Sequence, residues 1–177
     1  MKTRDLTMIA LFPALMGATA GISIPLFNLP PITLQTFFVF LAGLTLGPKK
    51  GALSMIIYLV IGAIGMPVFS GYKGGLGILT GFSGGFLIGF VIAAFLAGFL
   101  KTGKIINNQK YFIMPILFGI NLTIYMCGAA YITILTNGSY WLVLSGFYLY
   151  LIGDLFKIIA VTYVYVRIYG TITYEYA

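Results

Sequence analysis

Six long apolar runs, separated by short segments rich in glycine, proline and lysine, dominate the sequence. Apolar residues are continuous within each run rather than alternating with polar ones, which favours helices over the strands of a membrane barrel. A helix of about 20 residues spans a bilayer and satisfies its own backbone hydrogen bonds. We therefore predict an all-α integral membrane protein, a bundle of six transmembrane helices in a single domain over 1–177. The predicted spans cover about 6–27, 32–46, 51–65, 79–100, 111–135 and 143–169.

The composition agrees with this pattern and argues against a soluble domain. Hydrophobic residues make up 60% of the chain and charged residues 7%, whereas a soluble domain has about 25% charged residues. The net charge of +7 is divided into small clusters between the apolar runs, which is typical of membrane retention rather than nucleic-acid binding. A single cysteine, Cys127, and no histidine argue against an internal disulfide and a zinc site.

The basic residues predict the orientation of the bundle. If the N-terminus is cytoplasmic, most of them lie on the cytoplasmic side and only Lys73 lies outside, so we expect both termini in the cytoplasm. The alternative is that the first run is a cleaved signal peptide, with small residues at 18–20 as its cleavage site. The residues assigned to the cytoplasm are Lys2, Arg4, Lys49, Lys50, Lys101, Lys104, Lys110 and Arg167.

Two charged residues, Asp154 and Lys157, lie well inside the last predicted span. Each costs roughly 2.5–3.5 kcal/mol at the centre of a membrane helix, and their spacing places them on one helix face. A mutual ion pair would neutralise both, yet such a pair gains little over two apolar residues. We therefore favour a binding site that needs a strong acceptor and a strong donor together.

A glycine-rich segment after the third run is the second candidate feature. It contains the aromatic residues Phe69 and Tyr72 and, after Lys73, the pair Gly74 and Gly75. Aromatic faces and a backbone that a ligand can approach closely suit the wall or lid of a pocket, and a flexible turn is the alternative. The segment lacks the Gly-Lys-Ser/Thr sequence of a phosphate-binding loop.

Polar and small residues elsewhere have two interpretations each. Gln35 and Asn121 need hydrogen-bond partners, either on another helix or on a ligand. On the first span, Ala10, Ala14 and Ala18 are four residues apart, which either forms a stripe for close helix packing or is chance spacing.

Several motifs, in their order along the chain, resemble those of the BioY family. The members of this family are the biotin-specific substrate-capture components of energy-coupling factor (ECF) transporters. The resemblance covers nearly the whole chain. One departure is at Phe86, where the family usually has a tyrosine ending Gly-Pro-Thr-Gly-Gly-Tyr and this chain has GFSGGF at 81–86. The matching stretches are PITLQT at 31–36, LAG at 41–43, GAIGMPVF at 62–69, GG at 74–75, GGFLIGF at 84–90 and GDLFK at 153–157.

The resemblance implies that this chain captures biotin near the outer face of a bacterial cytoplasmic membrane. Asp154 would accept the ureido N–H groups, Lys157 would donate to the ureido oxygen, and Lys73 would face the carboxylate. The reverse pose, with Lys157 on the carboxylate, stays open. The expected ligand-binding residues are Gln35, Phe69, Tyr72, Lys73, Gly74, Gly75, Phe86, Asn121, Asp154 and Lys157.

The resemblance also implies partners. A transmembrane coupling subunit (EcfT-like) would pack on the alanine stripe, and two ATPase subunits would use ATP. This chain itself would then bind no cofactor and would not be an enzyme. The alternatives are the same scaffold with another vitamin, a small intramembrane enzyme, or a structural helper that binds no small molecule. The lack of histidine and the single intramembrane carboxylate argue against the enzyme.

Overall fold

The protein is mostly helical in its computed structural model, which describes residues 3–26, 29–101 and 110–175. Within these ranges, six helices have twelve or more residues and follow the order of the six predicted runs. The helices are α1 (Thr3–Ala18), α2 (Gln35–Leu46), α3 (Pro48–Ala63), α4 (Leu76–Leu79), α5 (Gly84–Gly98), α6 (Lys110–Thr136), α7 (Tyr140–Ser145) and α8 (Tyr148–Glu175), with a 3-10 turn at Phe99–Lys101.

The structure differs from the prediction at the end of the first run. Helix α1 ends at Ala18, and an antiparallel hairpin of β1 (Ser23–Leu26) and β2 (Leu29–Thr33) follows, with Ile24 opposite Ile32. The tandem prolines at 30–31 within β2 lack the backbone donors that a helix needs, and β-branched residues favour strands. Helix α2 therefore begins only at Gln35.

Two other predicted runs are interrupted. The fourth begins as the short helix α4, and α5 starts at Gly84 after a turn, while the sixth is divided into α7 and α8 at 146–147. Glycines at 81 and 146 lower the helix propensity at both breaks. The second break turns the Phe147 ring inward, where it is almost fully buried.

Helices α2 and α5 form the centre of the bundle. Helix α2 packs against α1, α3, α5 and α8, and α5 packs against α2, α3 and α6. Glycines permit close approach at these contacts: a Cβ at Gly43 would lie 2.5 Å from the Ala94 carbonyl oxygen, and one at Gly85 would lie 2.5 Å from Tyr131 Cβ. Close contact through small residues is typical of helices that associate in lipid.

The outer surface of the bundle indicates a membrane protein. Three segments, Gly84–Lys101, Phe112–Thr136 and Tyr148–Arg167, are long and apolar enough to cross a bilayer. On α8, Ile152 and Phe156 point outward and are each 68% exposed, which suits contact with acyl chains better than with water. The count of six crossings stays a prediction.

The two ends of the bundle are distinguished by their loops and charges. At the end we call the basic end, the start of α1 meets the start of α3, where Lys50 Nζ lies 2.7 Å from Asp5 Oδ1. The opposite end, the hairpin end, contains the hairpin, the 64–75 loop and the α6–α7 turn. There the Gly71 amide donates to the Ala20 carbonyl oxygen at 2.8 Å. Among the described residues of the loops at this end, Lys73 is the basic one.

The basic residues assigned to the cytoplasm follow the same division. Lys2 and Lys104 lie outside the described residues, and the positions of the others place them toward the basic end. Which end faces the cytoplasm stays a prediction. The others are Arg4, Lys49, Lys50, Lys101, Lys110 and Arg167.

Candidate ligand-binding site

A cavity lies near the hairpin end, between β2, α2, the 64–75 loop, α5, α6 and α8. Its volume of about 130 Å³ is well above the roughly 10–15 Å³ that one water molecule needs, so it can accept a small organic molecule. Aromatic walls with a few convergent polar groups are typical of small-molecule sites. The polar lining residues are Thr33, Gln35, Thr36, Ser70, Lys73, Ser83, Tyr125, Tyr150, Asp154 and Lys157.

Asp154, on α8, is the most heavily hydrogen-bonded group of the cavity wall and is only 3% exposed. Its Oδ2 accepts from Asn121 Nδ2 at 2.8 Å and from the Tyr125 hydroxyl, both on α6. Its Oδ1 accepts from Lys157 Nζ at 2.8 Å and from Thr36 Oγ1 at 3.3 Å. A carboxylate has about four acceptor positions, so protein donors occupy all of them.

The two oxygens of Asp154 have different surroundings. Both partners of Oδ1, Thr36 and Lys157, line the cavity, whereas of the two partners of Oδ2 Tyr125 lines it and Asn121 does not. The bond from Thr36 is longer than the usual 2.5–3.0 Å of a hydroxyl hydrogen bond. The bond from Thr36 to Oδ1 is therefore the one that a ligand donor could replace most easily.

Lys157 forms an ion pair with Asp154 one helical turn before it. The two side chains are only 13% and 4% exposed, so each compensates a charge that would be costly in lipid. An ammonium has three donor protons, and one of them is directed to Asp154 Oδ1. The remaining two have no partner among the described residues and can bind a molecule in the cavity.

Gln35 belongs to a second polar network. Its Oε1 accepts from Thr33 Oγ1 at 3.0 Å, and its Nε2 donates to the Tyr58 hydroxyl. Tyr58 in turn donates to the Val68 carbonyl oxygen at 2.9 Å. Gln35 thus connects the start of α2 to α3 and the 64–75 loop, while its side chain also lines the cavity.

The 64–75 loop supplies another part of the wall and is held by its own backbone. The Phe69 amide donates to the Lys73 carbonyl oxygen at 2.9 Å, and the Lys73 amide donates back at 3.2 Å. The Phe69 ring contacts the Tyr58 ring edge-on at 5.4 Å and lies where a Cβ at Gly62 would clash with it, at 2.0 Å. Between Phe69 and Lys73, Ser70 also lines the cavity, and its Oγ is buried.

An aromatic cluster encloses the cavity beside Asp154. The Phe147 ring contacts the rings of Phe86 at 5.1 Å, Tyr125 at 5.8 Å and Tyr150 at 5.7 Å. The Tyr150 hydroxyl donates to the Pro30 carbonyl oxygen, which ties β2 to α8. Of this cluster, Phe86, Tyr125 and Tyr150 line the cavity and provide flat apolar surfaces that suit the ring of a ligand.

The structure brings six of the ten predicted ligand-binding residues together at this cavity. Asn121 does not line it and instead acts through Asp154. Whether a predicted residue lines the cavity depends on the position of the helix or loop that carries it. The six are Gln35, Phe69, Lys73, Phe86, Asp154 and Lys157, and the other four are Tyr72, Gly74, Gly75 and Asn121.

Tyr72, Gly74 and Gly75 shape the loop instead of lining the cavity. The Tyr72 ring covers Gly21 and is 58% exposed. A Cβ at Gly74 would lie 2.4 Å from the Met66 carbonyl oxygen, so the loop needs glycine there. Gly75 has a φ of +99°, which favours glycine.

Sequence reasoning missed Thr36, Ser70, Tyr125 and Tyr150 as cavity residues. Helical spacing carries a signal for two of them, because Tyr125 follows Asn121 by four residues and Tyr150 precedes Asp154 by four. Thr36 and Ser70 have no comparable signal, since a hydroxyl residue beside a helix start or in a loop is common.

The alanine stripe lies on the outside of the bundle. Ala10, Ala14 and Ala18 are all exposed, whereas Phe12 and Met16 on the same helix are buried in the core. Helix α1 therefore packs into the fold through one face and presents small side chains on another. A flat surface of this kind permits close approach of a further membrane helix.

Comparisons with known proteins agree along nearly the whole chain. The model of the BioY family matches residues 1–173. A protein of Thermotoga maritima named "Biotin transporter BioY" is 34% identical over 165 residues, which covers 93% of this chain and 95% of that protein. A protein of Pyrococcus horikoshii named "Probable biotin transporter BioY" is 50% identical over 105 residues, and the chain spans 64% of its length.

A solved structure has the same fold. It is the crystal structure of "the S-component for biotin from an ECF-type ABC transporter", with a TM-score of 0.87 and 28% sequence identity. The similarity covers 96% of this chain and 95% of that one. The relatives and this structure are named as transporters and a transporter component rather than as enzymes.

Proposed function

The chain belongs to the BioY family, and we propose that it binds biotin and carries it across the membrane as the S component of an ECF-type importer. The observation that carries the proposal is a cavity with a buried carboxylate and ammonium, in a fold that is similar to a biotin S component over 96% of this chain. Charged groups at this depth of a membrane helix are costly, and a ligand that uses both explains their presence.

The ureido ring of biotin fits the Asp154 side of the cavity. This ring has two N–H donors and one carbonyl acceptor. An N–H group can replace the long Thr36 bond at Asp154 Oδ1, and the ureido oxygen can accept one of the two remaining protons of Lys157. One carboxylate and one ammonium would thus recognise both the donors and the acceptor of the ureido group.

The carboxylate of biotin fits the loop side of the cavity. Lys73 lines the cavity there, is exposed, and forms no ion pair with any described residue. Lys157 is already neutralised by Asp154, so a second carboxylate placed beside it would also approach a like charge. These charges favour Lys73 as the partner of the ligand's acid group over the reverse pose.

The apolar middle of biotin fits the aromatic walls. Phe86 and Tyr150 present their rings to the cavity from α5 and α8, and Phe69 does so from the loop. Aromatic edges attract the sulfur of a thioether, and the aliphatic tail gains from burial against the same surfaces. The phenyl ring of Phe86 therefore suffices at the position where the family usually has tyrosine.

The topology we propose has six crossings and both termini in the cytoplasm. The six longer helices follow one another in the order of the six predicted spans, which supports six crossings. The concentration of lysine and arginine at the basic end favours that end as the cytoplasmic one. The cavity then opens near the outer face of a bacterial cytoplasmic membrane, where biotin arrives.

For energy, we propose that the chain works with a transmembrane coupling subunit and two ATPase subunits that use ATP. The exposed stripe of Ala10, Ala14 and Ala18 supports a close helix contact with the coupling subunit inside the bilayer. The chain itself has no phosphate-binding loop sequence.

Isothermal titration of the detergent-purified protein with biotin tests the proposal, with thiamine and riboflavin as controls. We expect tight one-to-one binding of biotin and no binding of the other two vitamins. Binding of thiamine or riboflavin in place of biotin would keep the fold and refute the substrate. The absence of heat with all three would refute the binding function.

A further inference from the structure

Three lysines lie at the basic end, where the turn between α2 and α3 meets the end of α5. Lys49 and Lys50 are in the first turn of α3, and Lys101 is the last residue of the 3-10 turn that follows α5. The two elements are in close contact, since a Cβ at Gly98 would lie 2.3 Å from the Pro48 nitrogen. We call Lys49, Lys50 and Lys101 the lysine cluster.

The packing of these elements holds like charges near one another. The Lys101 side chain lies over the α2–α3 turn, where a Cβ at Gly47 would be 3.3 Å from its Cδ. Lys50 acts on Lys101 by repulsion, and Asp5 acts on it by attraction. Asp5 forms an ion pair with Lys50 at 2.7 Å. This one carboxylate leaves the lysine cluster with an excess of positive charge.

The position of two of the lysines on α3 adds to the excess. The first turn of α3 contains Lys49 and Lys50 and no acidic residue. The N-terminus of a helix carries a partial positive charge, so lysines are unfavourable there. Both side chains are accessible, since Lys49 is exposed and the side chain of Lys50 is 41% exposed. The lysine cluster therefore costs free energy that a bound anion would offset.

The surface of α5 next to the lysine cluster is apolar. The segment Gly84–Lys101 is long and apolar enough to cross a bilayer, and Lys101 is its last residue. Lysines at the end of such a segment reach the level of the lipid headgroups. An exposed apolar stripe with the spacing of one helix face runs along α5 toward this end. The stripe consists of Ile88, Ile92, Phe95 and Phe99.

We infer that the lysine cluster binds the phosphate-bearing headgroup of an anionic phospholipid, whose acyl chains lie along the exposed stripe of α5. A phosphate has several acceptor oxygens that ammonium groups can share. The excess of positive charge favours a lipid with net negative charge over a zwitterionic one. The apolar stripe favours a lipid over inorganic phosphate or an acidic protein segment, because neither of these would cover it. This site is separate from the cavity and does not depend on biotin as the ligand.

Native mass spectrometry of the detergent-purified full chain tests the inference. The protein is incubated with equal amounts of phosphatidylglycerol and phosphatidylcholine that carry identical acyl chains. We expect the wild type to retain one phosphatidylglycerol in preference to phosphatidylcholine. Lys50→Gln combined with Lys101→Gln should lower this preference about 30-fold, because each lysine near a headgroup contributes roughly a fivefold factor. Circular dichroism and size-exclusion chromatography of the double variant should match the wild type.

Asp5→Ala should change the preference in the opposite direction. The substitution removes the carboxylate that competes with the headgroup for Lys50, so phosphatidylglycerol should bind about fivefold more tightly. An unchanged or weaker preference in Asp5→Ala would contradict the inference, even if the double variant does not fold. Lys73→Gln is the matched control, because it removes one positive charge at the hairpin end, and it should keep the wild-type preference.

Three further results would overturn the inference. One is equal retention of the two lipids by the wild type. Another is the same loss per charge in Lys73→Gln as in the double variant, which would indicate a general effect of net charge. The third is displacement of phosphatidylglycerol by an equal concentration of inorganic phosphate or of polyglutamate, which would identify a free anion or an acidic protein segment as the occupant. None of these results depends on biotin binding, so the proposed function and this inference can fail separately.

Discussion

The two sides of the cavity satisfy their polar groups in opposite ways. On the helical side, Asp154 accepts four hydrogen bonds from α2, α6 and α8 before any ligand arrives. On the loop side, Ser70 Oγ has no described hydrogen-bond partner and Lys73 has no described ion-pair partner. The charged groups of the first side are paired within the protein, and the ammonium of the second side has no counter-charge among the described residues.

The position of each side in the bundle explains the difference. Asp154 and Lys157 lie in the middle of an apolar helix, where an unpaired charge is expensive, so the protein itself must compensate both. Lys73 lies at the end of the bundle and is exposed, where water can solvate an ammonium while the site is empty. Removing a group should therefore have its largest effect on the helical side.

The largest effect is expected for Asp154→Ala. The substitution leaves the Lys157 ammonium buried without its counter-charge and removes the acceptor for Asn121 and Tyr125. A hydrogen bond to a charged group contributes about 1.5–3 kcal/mol, and the variant also displaces the Lys157 ammonium, so we expect biotin affinity to fall by about 100-fold or more in a titration.

Asp5→Ala is the matched control for this variant. Asp5 also pairs with a lysine, but this pair is partly exposed at the basic end, so biotin binding should not change. Size-exclusion chromatography and circular dichroism of Asp154→Ala must show a folded protein. Unchanged affinity in folded Asp154→Ala would remove Asp154 from the site.

Lys73→Ala should have the next largest effect and decides the pose. A charged hydrogen bond contributes about 1.5–3 kcal/mol, so loss of the Lys73 ammonium should weaken biotin binding by about tenfold or more. Lys73→Arg should retain most of the affinity because it keeps the positive charge. Lys49→Ala, on an exposed lysine at the basic end, is the control. Normal binding in Lys73→Ala would favour the reverse pose, with Lys157 on the carboxylate.

Tyr125→Phe should have a smaller effect. The variant keeps the ring that stacks on Phe147 but removes the hydroxyl that donates to Asp154 Oδ2. Because Asn121 still holds that oxygen, we expect a loss of about threefold to tenfold in biotin affinity. Tyr131→Phe, on the same helix, removes a hydroxyl that donates to the Leu79 carbonyl oxygen and should bind like the wild type. Equal losses in both variants would indicate a general destabilisation of α6.

Ala14→Leu should have the smallest effect on binding and a large one on transport. Ala14 is exposed on α1 and lies away from both sides of the cavity, so biotin affinity should be unchanged. A leucine would prevent close approach of a coupling subunit, so uptake of radiolabelled biotin by cells should fall strongly. Leu11→Ala, at an exposed position on the same helix, should retain uptake. Normal uptake in Ala14→Leu would argue against the stripe as the partner surface.

The helices were predictable from the sequence where the apolar runs are uninterrupted, and the resemblance to the BioY family is confirmed. The hairpin at 23–33 was not predicted, because residues 23–27 continue the first apolar run and the prolines at 30–31 indicate only a break between two helices. The strands follow from the pairing of Ile24 with Ile32. The break before α8 was hidden for a similar reason, since one glycine is too weak a signal to end a helix.

The site was predictable where a residue type is unusual for its surroundings. Asp154 and Lys157 stand out because charge is rare in lipid. Tyr125 and Tyr150 do not, since the chain has 13 tyrosines and their role depends on which hydroxyl meets which acceptor. Ser70 could not be found from sequence, because the absence of a partner for its Oγ is a property of the packed structure.

A structure of the protein with biotin bound is the measurement that tests the central claim most directly. Our account predicts the ureido ring at Asp154 Oδ1 and Lys157, and the carboxylate at Lys73. The reverse orientation, with the carboxylate on Lys157 and the ureido ring against the 64–75 loop, would contradict it.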